Sequence, residues 1–240
     1  MSGLEHVQNL WRARFGRPLP EKIICVGLNY HDHAAEQGAE LPAEPLLFAK
    51  LANAVCGPGD AIVLPPESAH VDAEAELTIV VGATARRLTI DGALDAVAGY
   101  TVANDVSARN LQFRDGQWLR GKSFDTFCPL LPAIVPVSQL GAAEGLRITQ
   151  RVNGRVVLQD SSTSELIFGV RELVAHASSV FTLQPGDVIL TGTPAGVGIF
   201  RKPPVPLVDG DEVEIEIEGI GTLLNPVVAD VSAASVTDAT

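Results

Sequence analysis

Short apolar runs fenced by glycine or proline recur along most of the chain, and they predict strands. Ile23–Val26 stops at Gly27, and Pro45–Lys50, Ala61–Leu64, Leu77–Val81 and Val188–Thr191 are bounded in a similar way. Ile148–Val152 and Arg155–Gln159 flank Asn153-Gly154, a pair that suits a two-residue hairpin turn. Glu212–Glu218 alternates glutamate with valine or isoleucine, so one face is wet and the other buried. Helical signals are fewer. His31–Gln37 is short and ends at Gly38, and Asp91–Val97 opens on an N-cap candidate in Asp91. Ser164–Phe181 repeats Leu166, Ile167, Val170, Leu173, Val174 and Ala177 at helical spacing. Strands outnumber helices without a regular βαβ alternation. The pattern predicts an α+β, mostly β fold with mixed or antiparallel sheets and few short helices.

No internal repeat and no Pro-, Gly- or Ser-rich linker divides the chain, so residues 21–230 read as one domain. Residues 1–20 read as a short N-terminal leader, with one amphipathic helical turn around Leu10-Trp11 ending at Pro18 and Pro20. Residues 231–240 are small and polar and read as a frayed, disordered tail. The 240 residues carry 17 Lys+Arg against 29 Asp+Glu, a net charge of −12. Such a surface repels phosphate backbones, which argues against nucleic acid or an anionic membrane as partner. No apolar run is long enough to span a bilayer, and the first residues lack the apolar core of a signal peptide. Cys25, Cys56 and Cys128 share no short spacing and read as buried thiols in a reducing compartment. A cytoplasmic location is expected.

Carboxylates gather in two places. His70-Val-Asp-Ala-Glu-Ala-Glu-Leu77 runs into apolar Thr78–Val81, and in a strand Asp72, Glu74 and Glu76 share one face. Acids that enter a core repel one another and are costly to desolvate unless a cation binds them. Glu74 and Glu76 are therefore candidate ligands of a hard divalent cation, Mg²⁺ or Mn²⁺. The competing reading is a solvated acidic edge, as in Glu212–Glu218. Farther on, the apolar strand within Gly99–Gln112 ends at Asn104-Asp105. Asp105 is either a third oxygen ligand or the cap of the helix that follows. Arg109 and Gln112 lie on one side of that helix, where an arginine suits a substrate carboxylate.

Three further groups can carry chemistry. His33 and Glu36 are i,i+3 neighbours, so the carboxylate can orient the imidazole and raise its basicity for activating water. An exposed polar helix with incidental pairing is the alternative. Lys122, in Gly121-Lys-Ser-Phe-Asp125, stands beside an aromatic turn and suits a developing oxyanion. Thr191–Gly198 follows a strand but lacks the phosphate-loop pattern, and reads as a tight turn from which Thr193 could reach an anion.

Seven segments in one order resemble the fumarylacetoacetate hydrolase family over about residues 21–230. They are GLNYHDHAAE, EPLLFAK, DAEAEL, GYTVANDVSARNLQ, RGKSFDTFCP, VNG and GDVILTGTPAGVG. The resemblance implies a mixed β-sandwich roll, usually dimeric, here without the founding enzyme's separate N-terminal domain. It implies a Mg²⁺ site (Mn²⁺ or Ca²⁺ as alternatives) at Glu74, Glu76 and Asp105. It also implies a water-activating His33–Glu36 dyad on a lid helix, with Arg109, Gln112, Lys122 and Thr193 around the substrate. Family members cleave acylpyruvates or fumarylpyruvate, decarboxylate oxaloacetate, or isomerise 2-hydroxy-dienoates from aromatic ring cleavage, through a metal-chelated enolate of a 2-oxo acid. Because both dyad residues are present, the expected activity is hydrolysis of a C–C bond in a 2,4-dioxo acid. The alternative is an isomerase or decarboxylase of 2-oxo or 2-hydroxy-dienoic acids, oxaloacetate included. A reading from another class is a non-catalytic acidic β-protein that binds Ca²⁺ or a partner surface. The expected partners are a small-molecule 2-oxo acid and a second copy of the chain in a homodimer.

Overall fold

Ile23–Gly27 and Ala75–Val81 are buried along their whole length, with Glu76 and Thr78 the polar residues among them, because both lie inside a sheet with both faces covered. The computed structural model describes residues 1–131, 133–154 and 156–231. In the six-stranded sheet the order is Val135–Pro136, Val97–Asn104, Ala75–Val81, Val188–Leu190, Ile23–Gly27 and Leu46–Lys50. Only Ile23–Gly27 and Val188–Leu190 run parallel there. The five-stranded sheet has the order Val156–Ser162, Arg147–Val152, Glu212–Ile217, Gly221–Ala229 and Ile62–Leu64, with the last pair parallel. Arg147–Val152 and Glu212–Ile217 pack over Ala75–Val81 and Val97–Asn104, so the core lies between two mixed sheets. This is the α+β, mostly β, mixed β-sandwich roll expected from the sequence.

Local chemistry explains where the elements begin and end. Glu212–Ile217 buries Val213, Ile215 and Ile217 and leaves the glutamates outward. Asn153 and Gly154 both adopt the left-handed conformation, with φ of 56° and 63°, in the turn between Val152 and its antiparallel partner Val156. The helix His31–Gln37 ends at Gly38 with φ 63°, as its composition indicates.

Three expectations are corrected. The leader contains no mere helical turn: Gly3–Phe15 is a 13-residue helix. Ser2 and Glu5 close its N-terminus in a reciprocal cap, and Asp60 accepts from the Gly3 and Leu4 amides. Val7 and Trp11 are fully buried, and Trp11 Nε1 donates to Gly186 O at 2.9 Å. The signal was present as Ser2-x-x-Glu5 followed by Val7 and Trp11, but the charges between them obscured it. The long helix starts at Val170 and not at Ser164. Asn29 captures the preceding segment by bonding the Phe168 N–H and C=O, while its own carbonyl accepts from Ile167 N, which holds the chain out of helical geometry. Asp91–Val97 contains only a 3₁₀ turn, Ala93–Ala96, whose flanking cap is Gly92 and not Asp91. The expected tail falls, apart from Val231, outside the described residues, as does Arg155.

Because Trp11 anchors the first helix to the core, Trp11→Ala is expected to lower the unfolding free energy by about 3–5 kcal/mol in urea denaturation. A loss below about 1 kcal/mol would mean that the helix is not part of the cooperative core.

Candidate active site

The antiparallel register Ala75↔Asn104 sets the residues just outside it side by side. Asp105 N donates to Glu74 O at 2.9 Å, and Glu74 N donates to Asn104 Oδ1 at 3.0 Å. Glu76 projects from the same strand one pleat farther in. Oxygens of Glu74, Glu76 and Asp105 consequently lie within 4.8 Å of one another, all buried. Asp105 does not cap the following helix Arg109–Asp115, whose cap position is Ala108. The expectation that Asp72 shares the acidic face is corrected. The chain leaves strand geometry between Val71–Asp72 and Ala75–Val81, and Asp72 instead accepts from Arg109, Gly198 N and Ile199 N.

Cations surround this cluster. Arg109 Nη2 stands 2.7 Å from Glu74 Oε1, and its Nη1 donates to Gln112 Oε1 at 3.0 Å. Lys122 Nζ donates to Glu74 Oε2 and Asp105 Oδ2, each at 2.7 Å. Lys50 Nζ donates to Asp105 Oδ1 and to Val106 O. In the sequence Lys50 is only the end of a strand. Its only signal was a charge closing the run Leu46-Leu-Phe-Ala, where no solvent-facing period called for one.

Electrostatics separates the two glutamates. Burial pushes Glu74 up, but Arg109 and Lys122 outweigh it and hold the carboxyl well below the usual range. Burial also pushes Glu76 up, and here the Asp105 and Glu74 carboxylates add to it, against weaker help from Lys122 and the Gly192 amide. Among the described residues Glu76 forms no ion pair; Gly192 N donates to its Oε2 at 2.7 Å. An all-oxygen set with one uncompensated buried carboxylate suits a hard divalent cation, so Glu74, Glu76 and Asp105 form a cluster able to bind one.

The same cavity, about 90 Å³ in volume, is lined by the cluster glutamates, Arg109, Gln112, Lys122, Thr193 and His33. His33 Nδ1 lies 2.9 Å from Glu36 Oε2 and its Nε2 lies 2.7 Å from Gln37 Nε2. With Glu36 accepting the Nδ1 proton, Nε2 carries the lone pair and accepts from the Gln37 amide. Gln37 was not singled out from the sequence. Glu36 Oε1 and Asp32 Oδ1 accept from Gly196 N and Ala195 N, and Ser161 Oγ donates to Asp32 Oδ2, so the helix is docked on the 193–198 turn. Thr193 lines the cavity, but its hydroxyl is engaged: it donates to Ala75 O and accepts from Gln159 Nε2. Gln159, also missed, accepts from Ala75 N as well and so links the second sheet to the strand that carries the glutamates.

A two-sheet roll with a buried carboxylate cluster opposite a histidine–glutamate pair defines the class, an enzyme that works on a small molecule. The chain belongs to the fumarylacetoacetate hydrolase family: the family described as Fumarylacetoacetate (FAA) hydrolase C-terminal matches residues 22–228. Oxaloacetate tautomerase Fahd2a, mitochondrial, of Rattus norvegicus is 50% identical over 210 residues, spanning 87% of this chain and 67% of the relative. Among solved structures, 5-carboxymethyl-2-hydroxymuconate delta-isomerase from Mycobacterium smegmatis matches with a TM-score of 0.79 and 46% identity, over 89% of this chain and 81% of that one. 2-hydroxyhepta-2,4-diene-1,7-dioate isomerase from Mycobacterium marinum matches with a TM-score of 0.79 and 45% identity, over 90% and 77%. Among the described residues no helix is long and apolar enough to cross a membrane. The rat relative is named as mitochondrial, whereas a cytoplasmic location was expected from the sequence.

Glu76→Gln is expected to abolish the cation-induced rise in Tm, which at 100-fold saturation corresponds to about 2.7 kcal/mol. The same variant should make the cation-free protein more stable. A carboxyl raised by folding contributes stability below its unfolded pKa and loses it as pH rises through the folded value, and glutamine removes that loss. The stability gain should therefore be larger at neutral than at acid pH. Wild-type cation affinity of the variant in equilibrium dialysis would exclude Glu76 as a ligand.

Proposed function

We propose that the protein is a divalent-metal-dependent enzyme that interconverts the keto and enol forms of a compact 2-oxo acid, with oxaloacetate the first substrate to test. The observation that carries this reading is a base on the wall of the cavity that holds the carboxylate cluster: His33, with Nδ1 held by Glu36 and the Nε2 lone pair covered by the Gln37 amide. When bound, a cation held by Glu74, Glu76 and Asp105, Mg²⁺ before Mn²⁺ or Ca²⁺, supplies Lewis-acid polarisation of the 2-oxo group. Arg109 and Gln112, fixed by their mutual hydrogen bond, present guanidinium and amide groups for a substrate carboxylate. The Lys122 ammonium, kept charged by Asp105 and Glu74 against the effect of burial, neutralises charge that develops on a substrate oxygen. Once Gln37 is displaced, His33 Nε2 takes the proton beside the carbonyl and returns it to the other position, while Glu36 stabilises the imidazolium through Nδ1–H.

The tautomerase and isomerase names of the relatives support this reading over the hydrolysis expected from the sequence. Hydrolysis of a C–C bond in a 2,4-dioxo acid is the second reading, favoured by the same dyad, since a carboxylate-held imidazole also suits activation of water. A homodimer belongs to the proposal as well, because both sheets have edges to cover. Light scattering at micromolar concentration is expected to return the mass of two chains.

With Mg²⁺ present, enol oxaloacetate should be converted to the keto form without loss of mass, followed by the enol absorbance and by mass spectrometry. Two acids released from acylpyruvate or fumarylpyruvate would favour hydrolysis, and pyruvate with CO₂ would favour decarboxylation. His33→Ala should slow the proton transfer by about 10²–10⁴-fold with cation binding intact. A rate within a few-fold of wild type would remove His33 from the role of base.

A further inference from the structure

The acid cavity is closed on one side by two aromatic rings. Phe48, on the edge strand, and Trp118, just before the short helix Leu119–Lys122, meet edge to face with centroids 5.0 Å apart and planes at 70°. The indole rests on Gly27. A Cβ there would come within 2.7 Å of Trp118 Cζ3 and 2.9 Å of Cη2, so the strand must end on glycine for the ring to seat. Lys122 Nζ lies 5.2 Å from the Phe48 ring centre, which ties the partition to the charged floor of the cavity.

An open groove of about 440 Å³ lies behind these rings, between Leu46–Ala49 and Gly116–Leu119. Its walls are mostly apolar, and Leu46 and Leu119 on them are exposed. Phe48 and Trp118 line both this groove and the 90 Å³ cavity, so they are the wall between a small charged chamber and a larger apolar one. The cavity itself is far smaller than the roughly 300–1,000 Å³ of sites that enclose drug-sized ligands.

We propose that Phe48 and Trp118 form a size filter that confines the enzyme to compact, charged 2-oxo acids and rejects those with an apolar tail. This rests on the 2-oxo acid reading of the site. A tail extending from the carbonyl meets the indole and the Phe48 ring. Without them it would pass into the groove, where its methylene groups would leave water against Leu46 and Leu119. Discrimination of this kind is steric, so it should be lifted by truncation and retained by a ring of similar breadth.

The test is competitive binding to the Mg²⁺-loaded full-length protein, measured by calorimetry with oxalate as the compact acid and 2-oxooctanoate as the tailed one. Trp118→Ala is expected to strengthen 2-oxooctanoate binding by at least about tenfold, with oxalate within about twofold of wild type. Phe48→Ala should act in the same direction, and Trp118→Phe should keep most of the wild-type discrimination. A parallel change for both acids, or no change for 2-oxooctanoate in either alanine variant, would overturn the filter. Because binding needs no turnover, a wild type that binds oxalate but does not enolise oxaloacetate would sink the proposed activity and leave the filter standing. A wild type that does not bind oxalate would sink the 2-oxo acid reading and the filter with it.

Discussion

Mutual repulsion of three buried carboxylates is the constraint around which the centre of this protein is arranged. Two unit charges about 4 Å apart interact by about 4 kcal/mol at an effective dielectric of 20, so Glu74, Glu76 and Asp105 could not share a dry pocket unaided. Lys50, Lys122 and Arg109 supply the opposing charge, and each comes from a different part of the chain. Arg109 is itself anchored by Asp72, which bonds the backbone amides of Gly198 and Ile199. The acidic cluster therefore fixes the edge strand, the helix Arg109–Asp115 and the glycine-rich segment after Val188–Leu190 in a single electrostatic unit.

The dyad depends on the same unit through backbone contacts. Glu36 divides its two oxygens between His33 and the Gly196 amide, so the imidazole is oriented only while the helix His31–Gln37 is docked. Asp32 adds a second tie through Ala195 and Ser161. Gln159 then connects Thr193 and Pro194 in this turn to the Ala75 amide between the two glutamates. The His33–Glu36 pair and the carboxylate cluster are thus held in register by one buried glutamine and two loop amides. Gln37 sits on the lone pair of His33, which keeps the base occupied by its own helix until something displaces the amide.

Much of this was legible before the fold was known. Periodicity located most of the strands, because alternation marks a half-wet strand and a continuous apolar run marks a covered one. Composition identified the hairpin at Asn153-Gly154 and the end of the helix His31–Gln37 at Gly38, since few residues tolerate a positive φ. The carboxylates stood out because acids are rare where a chain turns wholly apolar. The first helix was misjudged because burial of Trp11 depends on the Gly186 carbonyl, far away in the chain. The start of the long helix was misjudged because Asn29, a distant side chain, claims the backbone of Phe168.

Side-chain pattern alone specifies which segments can be strands, where the chain can turn, and that Glu74, Glu76 and Asp105 carry charge at the border of the core. Those properties are local, set by side-chain volume, φ preference and desolvation. Folding in three dimensions is what takes Asp72 from the acidic face to Arg109, brings Lys50 to the cluster, and sets Phe48 and Trp118 between the cavity and the groove. Each of these rests on a contact between residues distant in the chain. No spacing encodes such a contact, because it is selected by which charges and surfaces meet when the sheets close.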